Sequence, residues 1–168
     1  MNSKKGQTWS IDLMAATVIV AIIMVFSLLL WNNIAVRWNT ANEYRQMQTD
    51  AMFAAEALMT TSGEPAGWEK LPQIDGNITA IGLADSRNEL SYLKLEKLVS
   101  ENATAYTVVK RRLGVPQYEL GIRVMDVERD NTHYEFGRFA GGMNTSVAFE
   151  RMGMLNDTPV IVQVEVWR

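Results

Sequence analysis

The chain has 168 residues and a formal net charge of only -3, so neither a strong basic field nor an acidic one is available to recruit an oppositely charged partner. It carries no cysteine, which excludes disulfides, thiolate nucleophiles and zinc-thiolate sites. No basic stripe with interleaved aromatics occurs, so nucleic acid is not an expected partner.

Met1 to Gly6 is a short polar tail with Lys4 and Lys5 and no acid, which by the positive-inside bias places the N-terminus in the cytoplasm and the bulk of the chain outside. From Leu13 to Trp31 only Thr17 and Ser27 are polar and no charge appears, and a helix of that length crosses the roughly 30 Å hydrocarbon core of a bilayer. A cleaved secretory signal is the usual alternative. Ala15 and Ala16 lie inside the apolar run rather than after it, so cleavage there would leave the helix attached. Asp12, at the edge of the run, admits two readings: with Ser10 it caps the helix at the membrane surface, where an anion meets the positive end of the dipole, or it pairs with an amine of a neighbouring subunit.

No Pro or Gly occurs from Gln7 to Thr61, and the segment after Trp31 is rich in good helix formers. Ile34, Ala41, Tyr44, Met47, Ala51, Ala55 and Leu58 form a helical stripe, so Ser10 to Thr61 is expected as one helix roughly 75 to 80 Å long. From about Glu43 onward, where Met52, Phe53, Leu58 and Met59 widen the apolar face, the helix is expected to pack on its own domain. The apolar half before it has no such cover and needs lipid or copies of itself.

Ser62 and Gly63 should end the helix, with Trp68 anchoring the turn that follows. Leu90 to Ser100 reads as a short amphipathic helix, and Ala105 to Leu113 as a further helical turn or two, closed by Gly114 and Pro116. The cations Lys110, Arg111 and Arg112 fall in its last turn, where they complement the dipole; a phosphate or lipid-headgroup site is the competing reading. From Gln117 the period changes to two, with alternation at Tyr118 to Val124, Val147 to Arg151 and Val160 to Val166, and Gly137, Gly141 and Gly142 suggest a hairpin between strands at Tyr134 to Phe139 and Ser146 to Met152. The expected fold class is therefore α+β: a long N-terminal hydrophobic helix, or stalk, packed at its C-terminal half against a small head domain with short helices and a three- or four-stranded antiparallel sheet. The expected divisions are a leader at 1–6, the helix at 7–61 with its span at 13–31, and the head at 62–168.

Little catalytic chemistry is legible. His133 follows Asp130-Asn131-Thr132 and reads as an exposed turn histidine, with no nucleophile motif beside it. Asp126, Glu128 and Asp130 alternate, but the calcium-loop pattern fails, because Asn131 stands where the loop needs Gly and Gly137 where it needs Glu. No enzyme, metal or cofactor is expected. Four N-glycosylation sequons, at Asn77, Asn102, Asn144 and Asn156, all lie beyond the apolar segment, where chance predicts roughly one, and favour an outside location.

The N-terminal motif carries a resemblance. Lys4-Lys5-Gly6-Gln7, then Ser10, Asp12 and an unbroken apolar helix, resembles the class III signal sequence of archaeal type IV pilin-like proteins. Gly63, Pro65, Trp68 and Ile81 to Ala84 are similar to a further pattern of such proteins. The resemblance implies cleavage by a prepilin peptidase between Gly6 and Gln7. The helix is then retained as the packed core of a filament, with Ser10, Asp12, Leu13, Val20 and Phe26 in subunit assembly. The family usually has Glu at the fifth mature position; here Asp12 falls at the sixth. The expected function is a structural subunit of a surface filament, polymerising with copies of itself or other pilin-like subunits, held in the membrane before assembly and extracellular after it. The alternative is a single-span membrane anchor carrying an outer binding or sensor domain that does not polymerise.

Overall fold

A computed structural model describes residues 4–128, 131–142 and 145–168, the side chains of residues 4–11 and 39 excepted. Helix α1 runs from Lys4 to Thr60, unbroken by any Pro or by a Gly beyond Gly6. The chain divides into two units, Met1–Glu43 and Tyr44–Arg168.

The first unit is helix alone. Its large apolar side chains from Leu13 to Trp31 are all more than half exposed. Three of its polar side chains turn back on the helix: Thr17 Oγ1 donates to Leu13 O at 2.7 Å, Asn33 Nδ2 to Leu29 O at 3.0 Å and Thr40 Oγ1 to Val36 O at 3.1 Å.

The second unit is built around a mixed six-stranded sheet. After α1 come a single 3-10 turn (Trp68–Lys70), β1 (Ala84–Ser86), β2 (Glu89–Leu90), α2 (Tyr92–Ser100), α3 (Asn102–Arg112), β3 (Glu119–Asp126), β4 (Thr132–Gly137), β5 (Ser146–Leu155) and β6 (Thr158–Trp167). The strand order is β1-β2-β5-β6-β3-β4. All neighbours are antiparallel except β2 and β5. The α+β class holds, but the sheet is larger than three or four strands and not wholly antiparallel.

The period-two residues explain the central strands. Val160, Val162, Val164 and Val166 alternate onto one face and are buried with Leu120, Ile122 and Val124 of β3 and Val147 of β5. Each such side chain removed from water contributes about 1.5–3 kcal/mol. The same core takes Met47, Ala51, Ala54, Ala55, Leu58 and Met59 from α1, Leu95 and Leu98 from α2, and Ala105 and Val109 from α3. The alanines let the helix lie close to the sheet: a Cβ on Gly153 of β5 would collide with the Met59 side chain. Of the expected stripe Ile34 and Tyr44 are exposed, as are Met52 and Phe53, the residues expected to widen its apolar face.

The expected hairpin between 134–139 and 146–152 does not form. β4 pairs with β3, Ile122 opposite Phe136, and β5 pairs with β6, Phe149 opposite Val164. Periodicity reports which face of a strand is buried, not which strand lies beside it. Gly137, at φ +89°, ends β4 against β3, where a Cβ would strike the Leu120 carbonyl. The tight turn instead joins β5 to β6 through Asn156 and Asp157, both at positive φ, as a two-residue hairpin whose strands twist correctly requires. Leu90 belongs to β2 rather than to α2, and α3 begins at Asn102, earlier than Ala105. Asp126 is the last residue of β3 and Glu128 lies in the turn beyond, so the expected strand alternation of acids stops there; Asp130 lies outside the described residues.

The C-terminal end of α1 is closed by the loop after it. A helix leaves its last four carbonyls without intrahelical donors. Here Leu83 N donates to Leu58 O at 2.9 Å, Asn88 N to Met59 O at 3.1 Å, and Thr61 N to Ala57 O at 3.1 Å. Trp68, fully buried, holds that loop by donating its indole N–H to Gly82 O at 3.1 Å, so it anchors the turn as expected. Gly82 is required where it stands, since a Cβ would run into the Thr61 carbonyl.

Candidate functional site

Within the first unit, Leu13, Val20 and Phe26 are 69%, 59% and 64% exposed. They lie on a helix whose most apolar 18-residue window has a mean hydropathy of 2.9 and no buried residue. Such a helix is long and apolar enough to cross a membrane. Asp12 is exposed more than two turns inside α1, which begins at Lys4, so it does not cap the helix. Gly6, Gln7 and Ser10 fall within the bounds of α1, and their side chains lie outside the described residues. Past the apolar run, Trp31, Ile34, Ala35 and Trp38 line an open apolar cleft of about 410 Å³. Their spacing, i, i+3, i+4 and i+7, is that of the four residues that form a hole for a knob from a facing helix.

In the second unit the sequons separate by environment. Asn102, the first residue of α3, accepts the Gly137 N–H on Oδ1 at 2.8 Å and is half-buried. Asn77 is exposed but donates Nδ2 to Asp75 Oδ2 at 2.9 Å. Asn156 stands exposed at the tip of the β5–β6 turn, while Asn144 lies outside the described residues.

Two of the three cations closing α3 are spent on the fold, while Arg111 is exposed. Lys110 Nζ pairs with Glu119 Oε1 at 3.2 Å, and Arg112 Nη2 donates to Gly76 O at 2.9 Å. Glu119 is the hub of a network that sequence reading missed: Oε2 accepts the Tyr106 hydroxyl at 2.7 Å and Arg138 Nη1 at 3.3 Å, and the Tyr106 oxygen accepts Leu120 N–H at 2.9 Å. The Tyr106 hydroxyl and Lys110 together hold the Glu119 carboxyl below its usual range against partial desolvation. Burial, more than any neighbour, pushes the Tyr106 phenol up to about 12. The network ties α3 to β3 and offers no free nucleophile.

A second polar pair sits at the opposite end of β3. His133 Nε2 lies 2.5 Å from Asp126 Oδ1, and Asn131 Nδ2 donates to Asp126 Oδ2 at 3.3 Å. These two hydrogen bonds, His133 first, lower the Asp126 carboxyl from its ordinary value. His133 is the second residue of β4 rather than part of a turn, and it is the extra residue of a bulge between the Val124–Tyr134 and Met125–Thr132 pairs, beside Asp126. No period in the sequence signals that meeting. His133 also lines a cleft of about 240 Å³ with Tyr92, Tyr134, Leu155, Asn156, Thr158 and Val160. Among the described residues no cluster of three or more His, Asp or Glu could hold a metal ion.

These features define a class: a chain with one long, apolar N-terminal helix able to span a membrane and a small α+β head. No protein-family model matches it, and neither a curated protein nor a solved structure shows significant similarity to it.

Proposed function

We propose that the chain is a structural subunit of an archaeal type IV pilus-like surface filament, polymerising through its N-terminal helix. The observation that carries this reading is the apolar surface of α1 from Leu13 to Trp31, exposed on every side and free of charge. Such a surface is stable only in lipid or against other apolar helices. The reading uses both environments in turn: the bilayer holds the subunit with its N-terminus in the cytoplasm, and assembly moves the helix into a bundle of copies, where helix contacts replace lipid contacts. Two further features support the second environment. The Gly6-Gln7 junction with Asp12 resembles a prepilin leader, and the cleft at Trp31, Ile34, Ala35 and Trp38 has the spacing of a helix-packing hole. The head would then form the outer layer, with Asn156 and Asn77 as accessible glycosylation sites.

Mass spectrometry of the native protein tests this directly. A mature N-terminus at Gln7, in polymer sheared from the cell surface, is the expected result. An intact Met1 in a protein found only as membrane-bound monomer would replace the filament with a permanent single-span anchor.

A further inference from the structure

The cleft beside His133 is independent of the filament reading and has a chemistry of its own. Its floor is apolar, made by the buried side chains of Leu155 and Val160. Its walls include Tyr92 and Tyr134, whose rings meet edge to face at 6.3 Å. Its rim is polar, with His133, Asn156 and Thr158, and Asn156 and Thr158 are both exposed. The Asp126 contact occupies one nitrogen of His133 and orients the ring, leaving the other nitrogen with no protein partner among the described residues.

Charge narrows the ligand. Two ionised groups beside the cleft are Asp126, bonded to His133, and Glu96, which with burial and Tyr92 raises the Tyr134 hydroxyl pKa. Both are negative, which disfavours an anion. A cation is not favoured either, because the Asp126 oxygens already accept His133 and Asn131 and Glu96 is open to solvent. A neutral ligand with one apolar face and several hydroxyls matches the floor, the aromatic walls and the rim together. Its volume suits a single ring.

We propose that this cleft, formed where the β5–β6 turn, the start of β4 and the start of α2 converge, binds one neutral sugar ring. The ring's C–H face lies toward Tyr92 and the apolar floor, and its hydroxyls reach His133, Asn156 and Thr158. The sugar has two possible sources: a glycan carried on Asn156 itself, which lies in a sequon at the rim, or a glycan on another surface.

The test is saturation-transfer NMR on the full chain in lipid nanodiscs, with methyl glycosides of the common neutral hexoses and N-acetylhexosamines as probes. At least one probe should bind with a dissociation constant of about 1 mM, and Tyr92→Ala and His133→Gln should each weaken it about tenfold or more. Both residues are surface groups, and unchanged thermal melts of the variants will separate lost binding from lost folding. Comparing protein from a host that lacks N-glycosylation with natively modified protein separates the sources. Binding to both forms identifies a foreign glycan, and binding only to the unmodified form identifies the chain's own. Absence of binding by every probe to the unmodified protein, or full binding by the Tyr92→Ala variant, overturns the proposal.

Discussion

Gly63 lies so close to Trp68 that a single added carbon on the glycine would stand 2.5 Å from the indole. The contact sets how α1 ends. Gly63 has φ +84°, which an L side chain rarely adopts, and the buried indole beneath it reaches Gly82 O to hold the loop that caps the helix. Trp68→Ala should therefore cost about 3–5 kcal/mol of head stability. Gly63→Ala should cost about 1–3 kcal/mol from backbone strain, with the steric clash added to it. Urea titration followed by circular dichroism reads both, and a loss below about 0.5 kcal/mol for either would mean the loop is held by other contacts.

The Tyr106–Glu119 hydrogen bond predicts a pH signature at each end of the scale. Glu119 has a lowered pKa in the fold, so its contribution is present above the ordinary carboxylate value of about 4.3 and is lost as pH falls through the folded value. Tyr106 has a raised pKa, so its contribution is present below about 10 and is lost as pH rises toward about 12. Thermal melts of Tyr106→Phe and the parent should differ most near neutrality and draw together as pH falls below the ordinary carboxylate value and as it rises from about 10 toward about 12. A constant difference across the range would show that the loss is one of packing alone.

Membrane partition should depend on the middle of the apolar run. Ile22→Lys places a charge near the centre of the span at a cost of about 3 kcal/mol. The variant should shift from the membrane pellet to aggregate or supernatant on fractionation, while the head, which folds around its own core, keeps its sheet signal. Retention of full membrane association would place the hydrocarbon boundary elsewhere along α1.

Under the filament reading, Asp12→Ala should abolish incorporation into polymer and leave membrane insertion intact. Quantifying the subunit in sheared surface fractions and in membranes gives the two numbers needed. Normal incorporation would show that Asp12 has no pairing role in assembly; it cannot cap the helix, which begins at Lys4.

Asn102→Ala removes the acceptor for the Gly137 N–H and should destabilise the head by about 1–3 kcal/mol. Chemical denaturation of the variant beside an Asn77→Ala control, whose exposed amide bonds only the nearby Asp75, distinguishes this structural role from general surface tolerance.

What the sequence revealed depended on the range of each signal. The valines of β6 were legible because a period of two over ten residues has one explanation, a strand with a buried face. The same holds for Met47, Ala51, Ala55 and Leu58 on α1. Phe53 misled because hydrophobicity alone does not assign a face, and it lies on the helix side away from the core. β1 and β2, three and two residues long, are too short to show a period. The Glu119 network and the His133–Asp126 pair were invisible for another reason. Each joins residues through a strand register or a helix crossing, and neither leaves a fixed spacing behind. Trp68 was found because turn chemistry is local, and its partner Gly82 was not, because fourteen residues separate them.

The strand order also constrains when the head can exist. β6 lies between β5 and β3 in the sheet, yet it follows every other strand along the chain. The β1-β2-β5 half and the β3-β4 half therefore share no edge until residue 167 has left the ribosome. Helix α1, by contrast, is complete after sixty residues. During synthesis the greasy helix is thus available for insertion long before the head can close, and a chain stopped even ten residues early would carry two separate, unjoined edges into the space where the finished domain belongs.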